Sequence, residues 1–190
     1  MYEMASSEEF LNEVNYDYGT KEKSASFYND TTGERVVVSV NKFPKYHPSR
    51  DTARFFENEY DTERMEMDMV LRSRETLRPG KNSFGYKYVF TDTNSSRMLV
   101  YAGILQNNRF YGISSATDTL AKGDDMVTQF INSFIPENRD TVSLFRSKLN
   151  EFFTDLGSKD STTRVRAMDA AAQLYFGPES VGKFKHIIDS

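Results

Sequence analysis

The sequence predicts an α+β fold: an antiparallel sheet covered by helices, with a C-terminal all-α helical extension. Three observations carry this. Runs of β-branched and aromatic residues recur between Ser24 and Ser115, separated by turns rich in Asn, Gly and Pro. Two helical patterns interrupt or close that region, near 50–60 and 126–134. After Pro136 the pattern becomes wholly helical. Consecutive antiparallel strands with helices at the breaks imply a sheet covered on one face.

Taken in order, Ser6 and Glu9 form a capping box ahead of Phe10, Leu11 and Val14, which predicts a short helix over 6–14. Ser24-Ala25-Ser26-Phe27-Tyr28 reads as a strand, and Asn29-Asp30-Thr31-Thr32-Gly33 as a turn. Val36-Val37-Val38-Ser39-Val40 is the returning strand of that hairpin, which Pro44 breaks and Pro48 ends. Ser49 is placed to cap a helix over 50–60, with Ala53, Phe56 and Tyr60 on one face. From Met65 to Glu75 apolar and charged residues alternate, which favours a half-exposed strand over a continuing helix despite the helix propensity of Met and Glu.

Arg78-Pro79-Gly80-Lys81-Asn82 is a turn, and three strands follow over 86–91, 97–106 and 109–115. Asn107-Asn108 joins the last two as a two-residue loop, because Asn tolerates the positive φ of tight hairpin turns. Asp124 or Asp125 caps a helix carrying Met126, Val127, Phe130, Ile131 and Phe134, which Pro136 stops. Beyond it, Leu144, Phe145, Leu149, Phe152, Phe153 and Leu156 share one stripe ended by Gly157. A second helix carries Val165, Met168, Ala172 and Tyr175, and a third Val181, Phe184, Ile187 and Ile188. The expected division is therefore an α+β unit over 1–138 and a helical segment over 139–190.

Composition removes several chemistries. There is no cysteine, so disulfides, thiolate zinc sites, iron–sulfur clusters and cysteine nucleophiles are out. A formal charge of −4 opposes both a nucleic-acid surface and a polybasic membrane patch. No apolar run approaches the ~20 residues of a transmembrane helix, and the start Met1-Tyr2-Glu3-Met4-Ala5 has no basic or apolar leader. His47 and His186 lack ligand spacing and read as a loop and a helix-surface histidine. Glu57, Glu59, Asp61, Glu63, Glu66 and Asp68 lack the spacing of a calcium loop and read as a solvated face. Asp118, Asp124 and Asp125 around Gly123 are accounted for by capping. Nucleophile-elbow and phosphate-cradling glycine motifs are missing, and no catalytic residue, cofactor site or metal site is predicted.

One cluster points to binding. Arg72, Arg74, Arg78 and Lys81 bring positive charge to one strand end and turn, where they suit an acidic peptide or anionic ligand. The plainer reading of the same residues is an edge strand protected by charge. Tyr86, Tyr88, Phe90, Tyr101, Phe110 and Tyr111 read chiefly as core or cross-strand pairs.

Two stretches resemble known families. The order of elements over about 23–136, ending in Arg109-Phe110-Tyr111-Gly112-Ile113-Ser114 and then Gln129-Phe130-Ile131-Asn132-Ser133-Phe134-Ile135-Pro136, resembles the PsbP-like fold. Over about 142–189, Asp160, Val165-Arg166 and Ala170-Ala171 fall where a HEAT-like helical repeat places its turn Asp, its Val-Arg pair and its small packing residues. One and a half repeats are fewer than the roughly three such arrays need, so this unit is expected to pack on the first or to continue past Ser190. The pair of resemblances implies a non-catalytic binding or scaffold module from a larger bacterial envelope or secreted protein. Its partners would be a protein or flanking domains of the same polypeptide, with no nucleic acid and no membrane insertion. A periplasmic or secreted location follows if the chain comes from a longer precursor. The alternatives are an accessory domain of an enzyme whose active site lies elsewhere, and a small-ligand carrier.

Overall fold

The computed structural model describes residues 14–15, 21–47, 51–57, 69–120, 125–137 and 142–188. Among them, seven strands form one antiparallel sheet. β1 (Val14–Asn15) is a two-residue piece beside β2 (Lys21–Tyr28), which returns as β3 (Arg35–Lys42). β4 (Val70–Leu77), β5 (Ser83–Thr91), β6 (Arg97–Gln106) and β7 (Arg109–Asp118) form a meander. The order β1-β2-β3-β7-β6-β5-β4 joins hairpin to meander at β3 and β7, where Ser39 faces Gly112.

Local chemistry fixes the turns that set this register. Between β2 and β3, Asn29 Oδ1 accepts from the Thr31 N–H (3.0 Å) and Thr32 N–H (3.3 Å), and Gly33 takes φ +74°. Between β6 and β7, Asn107 supplies φ +56°. β6 is the strand between two others at the middle of the meander. Every residue from Leu99 to Gln106 on it is buried, as its unbroken apolar run requires.

The helices sort to two faces. A helical segment over 52–57 (α1) begins at Asp51, whose Oδ1 accepts the Ala53 N–H at 2.8 Å. α2 (Asp125–Ser133) lays Val127 and Ile131 over Val36, Val100, Ala102, Ile104 and Ile113. On the opposite face Phe56 and Leu144 close over Tyr88, Phe90, Leu99, Tyr101 and Phe110. Each fully buried aliphatic or aromatic side chain adds about 1.5–3 kcal/mol, so both faces hold the sheet. The chain ends in α3 (Leu149–Leu156), α4 (Ser161–Ala170), a 3₁₀ turn (Ala171–Gln173) and α5 (Ser180–Ile188).

These findings correct the expected fold class. The chain is α+β with an antiparallel sheet, but the sheet is covered on both faces instead of one. The anticipated C-terminal all-α helical extension is absent beyond short helices, the longest of which in this region has 10 residues. Leu144 and Phe145, expected on the stripe of the first C-terminal helix, precede α3 and join the sheet's aromatic core. The Leu144 N–H donates to the Asn107 carbonyl at 2.9 Å. Docking on the sheet buries Leu144 to 1% exposure among the aromatic side chains of that face, with Phe145 partly buried beside it.

The stripe assigned to the second helix is also turned over. Val165, Met168 and Tyr175 are 52%, 59% and 66% exposed, whereas Ala167 is fully buried against Phe152 and Phe153. A small residue is what lets α4 approach α3 closely, and this outweighs the larger side chains on the other side. Asp160 caps α4, accepting from the Thr162 and Thr163 N–H groups. The capping box at Ser6 and Glu9, the Ser49 cap, Tyr60, the start of the alternating stretch at Met65 and the Asp124 cap lie outside the described residues.

Candidate functional site

β4 flanks the sheet and is exposed along most of its length. A bulge between Leu71 and Ser73 turns Arg72 out of register, and its Nε donates to Thr91 Oγ1 at 2.6 Å. Beyond the bulge Arg74 pairs with Tyr88 and Thr76 with Tyr86. Period-two alternation therefore puts Arg74 on the face where β5 presents Phe84, Tyr86, Tyr88 and Phe90. The opposite face carries Glu75, which accepts from Lys87 Nζ at 3.4 Å.

The arginines use this aromatic row. The Arg74 guanidinium stands 3.7 Å from the Tyr86 ring centroid and 5.7 Å from that of Tyr88. Arg78 lies 5.5 Å from the Phe84 centroid. The rings support one another, with Phe84 and Tyr86 at 5.1 Å, Tyr86 and Tyr88 at 6.0 Å, and Tyr88 stacked on Tyr101 at 6.2 Å. Lys81 is exposed in the turn after Arg78, where Gly80 takes φ +110° and the Lys81 carbonyl accepts from Gln106 Nε2 at 3.3 Å. Of the four predicted site residues, the fold thus unites Arg74 and Arg78, diverts Arg72 to Thr91, and leaves Lys81 at the turn. Among the described residues none of the four forms an ion pair with a carboxylate.

A second polar assembly joins the loop after β3 to the C-terminal helices. Tyr46, 6% exposed, packs edge-on against Phe152 at 6.0 Å and donates its hydroxyl to Asp155 Oδ2. The same oxygen accepts from Lys45 Nζ at 2.5 Å. Burial pushes the Asp155 pKa up, but the hydrogen bonds from Lys45 and Tyr46 outweigh it and hold the carboxyl below its ordinary value. Burial and the Asp155 hydrogen bond raise the Tyr46 phenol.

Beside this latch lies a cavity of about 410 Å³, lined by Phe43, Pro44, Val142 and Leu144 on its apolar side and by Lys42, Lys45, Asn108, Lys148 and Glu151 on its polar side. No motif announces it. The sequence signal is Lys148 itself, which stands four residues from both Leu144 and Phe152 on an otherwise apolar stripe.

The remaining candidates are placed apart. His47 packs its imidazole 4.5 Å from the Phe43 ring, and burial lowers its pKa, while His186 is exposed on α5. Asp118 accepts from the Leu120 N–H and from Ser96 Oγ, both at 2.7 Å, which hold its carboxyl low. The acidic stretch from Glu59 to Asp68 lies outside the described residues. Among the described residues no cluster of three or more His, Asp or Glu is placed to hold a metal ion, and no helix is long and apolar enough to cross a membrane. No protein-family model matches the chain, and no curated protein matches it.

Proposed function

We propose that the chain is a non-catalytic binding module whose β4 edge receives an extended acidic segment of a partner protein. The observation that carries this reading is Arg74, held 3.7 Å over Tyr86 and unpaired with any carboxylate among the described residues. A stacked guanidinium keeps its N–H fork in the plane of the contact and directed outward, so less side-chain entropy is lost when a carboxylate binds it bidentately. Arg78 repeats the arrangement over Phe84, four residues further on. At about 3.3 Å per residue of extended chain, positions 74 and 78 are ~13 Å apart along the strand path, a spacing that matches acidic side chains four residues apart on an extended peptide. Strand addition at a sheet edge supplies main-chain hydrogen bonds for affinity, and the arginines supply selectivity. The resemblance to PsbP-like domains, which serve mostly as binding modules, agrees with this reading.

The test is fluorescence anisotropy with a labelled peptide of alternating Glu and Val, against the same peptide with Gln for Glu. The Glu peptide is expected to bind at least about tenfold more tightly, with the margin shrinking as salt rises. The Arg74→Glu/Arg78→Glu variant is expected to lose that margin. Arg74→Lys is expected to keep part of it, since charge remains and stacking is lost. Equal binding of both peptides, or of wild type and the double variant, refutes the proposal.

A further inference from the structure

We infer that the cavity between the loop after β3, the β6–β7 turn and the start of α3 binds a small organic anion with an apolar body and one carboxylate or phosphate head. Its volume of about 410 Å³ falls in the range of ligand pockets, and it is preformed. The Phe43 N–H donates to the Asn108 carbonyl at 3.0 Å and the Leu144 N–H to the Asn107 carbonyl at 2.9 Å, so both walls are tied to one hairpin tip. The Tyr46–Asp155 contact fixes α3 on the third side.

Lys148 makes the case for an anion. It is only 5% exposed, and an ammonium removed from water is costly unless opposite charge meets it. Its Nζ donates to the Ser143 carbonyl at 2.8 Å, which uses one of three N–H donors. Among the described residues it pairs with no carboxylate. Glu151, the acid in the lining, is ion-paired to Arg146, and Lys45 is paired to Asp155. Burial first, and the Arg146 charge second, press the Lys148 pKa down, which is the response of a cation lacking a counter-charge.

Three further features point the same way. Lys42 and Lys45 line the rim, Lys45 within its ion pair to Asp155. Lys148 is also the N-cap of α3, so the start of that helix stands at the cavity wall. Asn108 Oδ1, buried and without a hydrogen-bond partner among the described residues, is an acceptor for the O–H of a monoprotonated phosphate. Phe43, Pro44, Val142 and Leu144 offer no polar group to a ligand and suit a hydrocarbon body.

Isothermal titration calorimetry with octanoate, octyl phosphate, octanol and inorganic phosphate tests this on the full chain. Octanoate or octyl phosphate is expected to bind at least about tenfold more tightly than either octanol or inorganic phosphate, and the tighter of the two assigns the head group. Amide shifts in ¹H–¹⁵N spectra are expected at Phe43, Asn108, Leu144 and Glu151. Lys148→Met is expected to lose about tenfold or more with an unchanged far-UV spectrum. Lys42→Ala, at an exposed position, is expected to weaken binding about threefold and decides the matter if Lys148→Met does not fold. No binding at about 1 mM, octanol binding as well as octanoate, shifts confined to other surfaces, or both lysine variants binding like wild type would each overturn the inference.

Discussion

Tyr46→Phe isolates one hydroxyl at the junction between the sheet and the C-terminal helices. The ring stays on Phe152, so the packing within that aromatic cluster is kept and only the donor to Asp155 is lost. A hydrogen bond to a charged group contributes about 1.5–3 kcal/mol when buried. Asp155 keeps Lys45 as a partner and its side chain retains 18% exposure, so the expected loss is at the lower end, about 1–2 kcal/mol. Tyr46→Ala also empties the ring's site and is expected to cost about 3–5 kcal/mol. For a chain of this length each kcal/mol lowers Tm by about 2–4 °C. Urea unfolding followed by far-UV circular dichroism measures both variants, since the protein has no Trp.

The pH dependence has a defined sign. Asp155 has a depressed folded pKa, so its contribution is present above the ordinary carboxylate pKa of about 3.9 and is lost as pH falls through the folded value. The Tyr46 phenol is raised, so its contribution holds below about pH 10 and is lost above it. The gap between wild type and Tyr46→Phe should therefore be widest near neutrality and close in acid. A double-mutant cycle with Asp155→Asn should give a coupling of at least about 0.5 kcal/mol. A Tyr46→Phe protein as stable as wild type within about 0.3 kcal/mol, or a gap independent of pH, refutes the reasoning.

Two further substitutions examine the packing. A Cβ added at Gly85 would lie 2.0 Å from the Gly103 carbonyl oxygen and 2.8 Å from Ile104 Cα, both backbone, so Gly85→Ala is expected to cost about 3 kcal/mol and lower Tm by about 6–12 °C in a thermal melt. Val165→Ser with Met168→Gln alters only the exposed side of α4 and is expected to stay within about 0.5 kcal/mol of wild type per site, whereas Ala167→Asp is expected to unfold the C-terminal helices in the same denaturant assay.

The strands were legible because their patterns are local. The valine run of β3 and the strand from Arg97 to Gln106 can be read from composition and period alone, as can the left-handed Asn107; that helices and loops cover both faces of the sheet cannot. What could not be read depends on register or on competition between partners. The positive cluster at Arg72–Lys81 was visible as charge, but which arginine would stack was not. That follows from the bulge at Arg72 and from a pairing that sets Arg74 beside Tyr88, fourteen residues away in sequence. The stripe from Leu144 to Leu156 misled because helical spacing does not reveal that a sheet face competes for its first two members. In α4 the large apolar residues suggested the buried side, yet the close approach of α3 selected Ala167. The cavity is not legible in the sequence because its walls come from three separate stretches, 42–45, 108 and 142–151.

The seam between β3 and β7 also bears on how the protein is made. Ser39 and Gly112, hydrogen-bonded neighbours in the finished sheet, are 73 positions apart. At roughly 5–20 residues per second of synthesis, the valine strand leaves the ribosome about 4–15 s before its β7 neighbour exists. For that interval one side of the β2–β3 hairpin offers unpaired N–H and C=O groups to any other nascent chain. Conditions that slow elongation between Lys42 and Arg109 lengthen this window of aggregation risk without altering the stability of the folded protein.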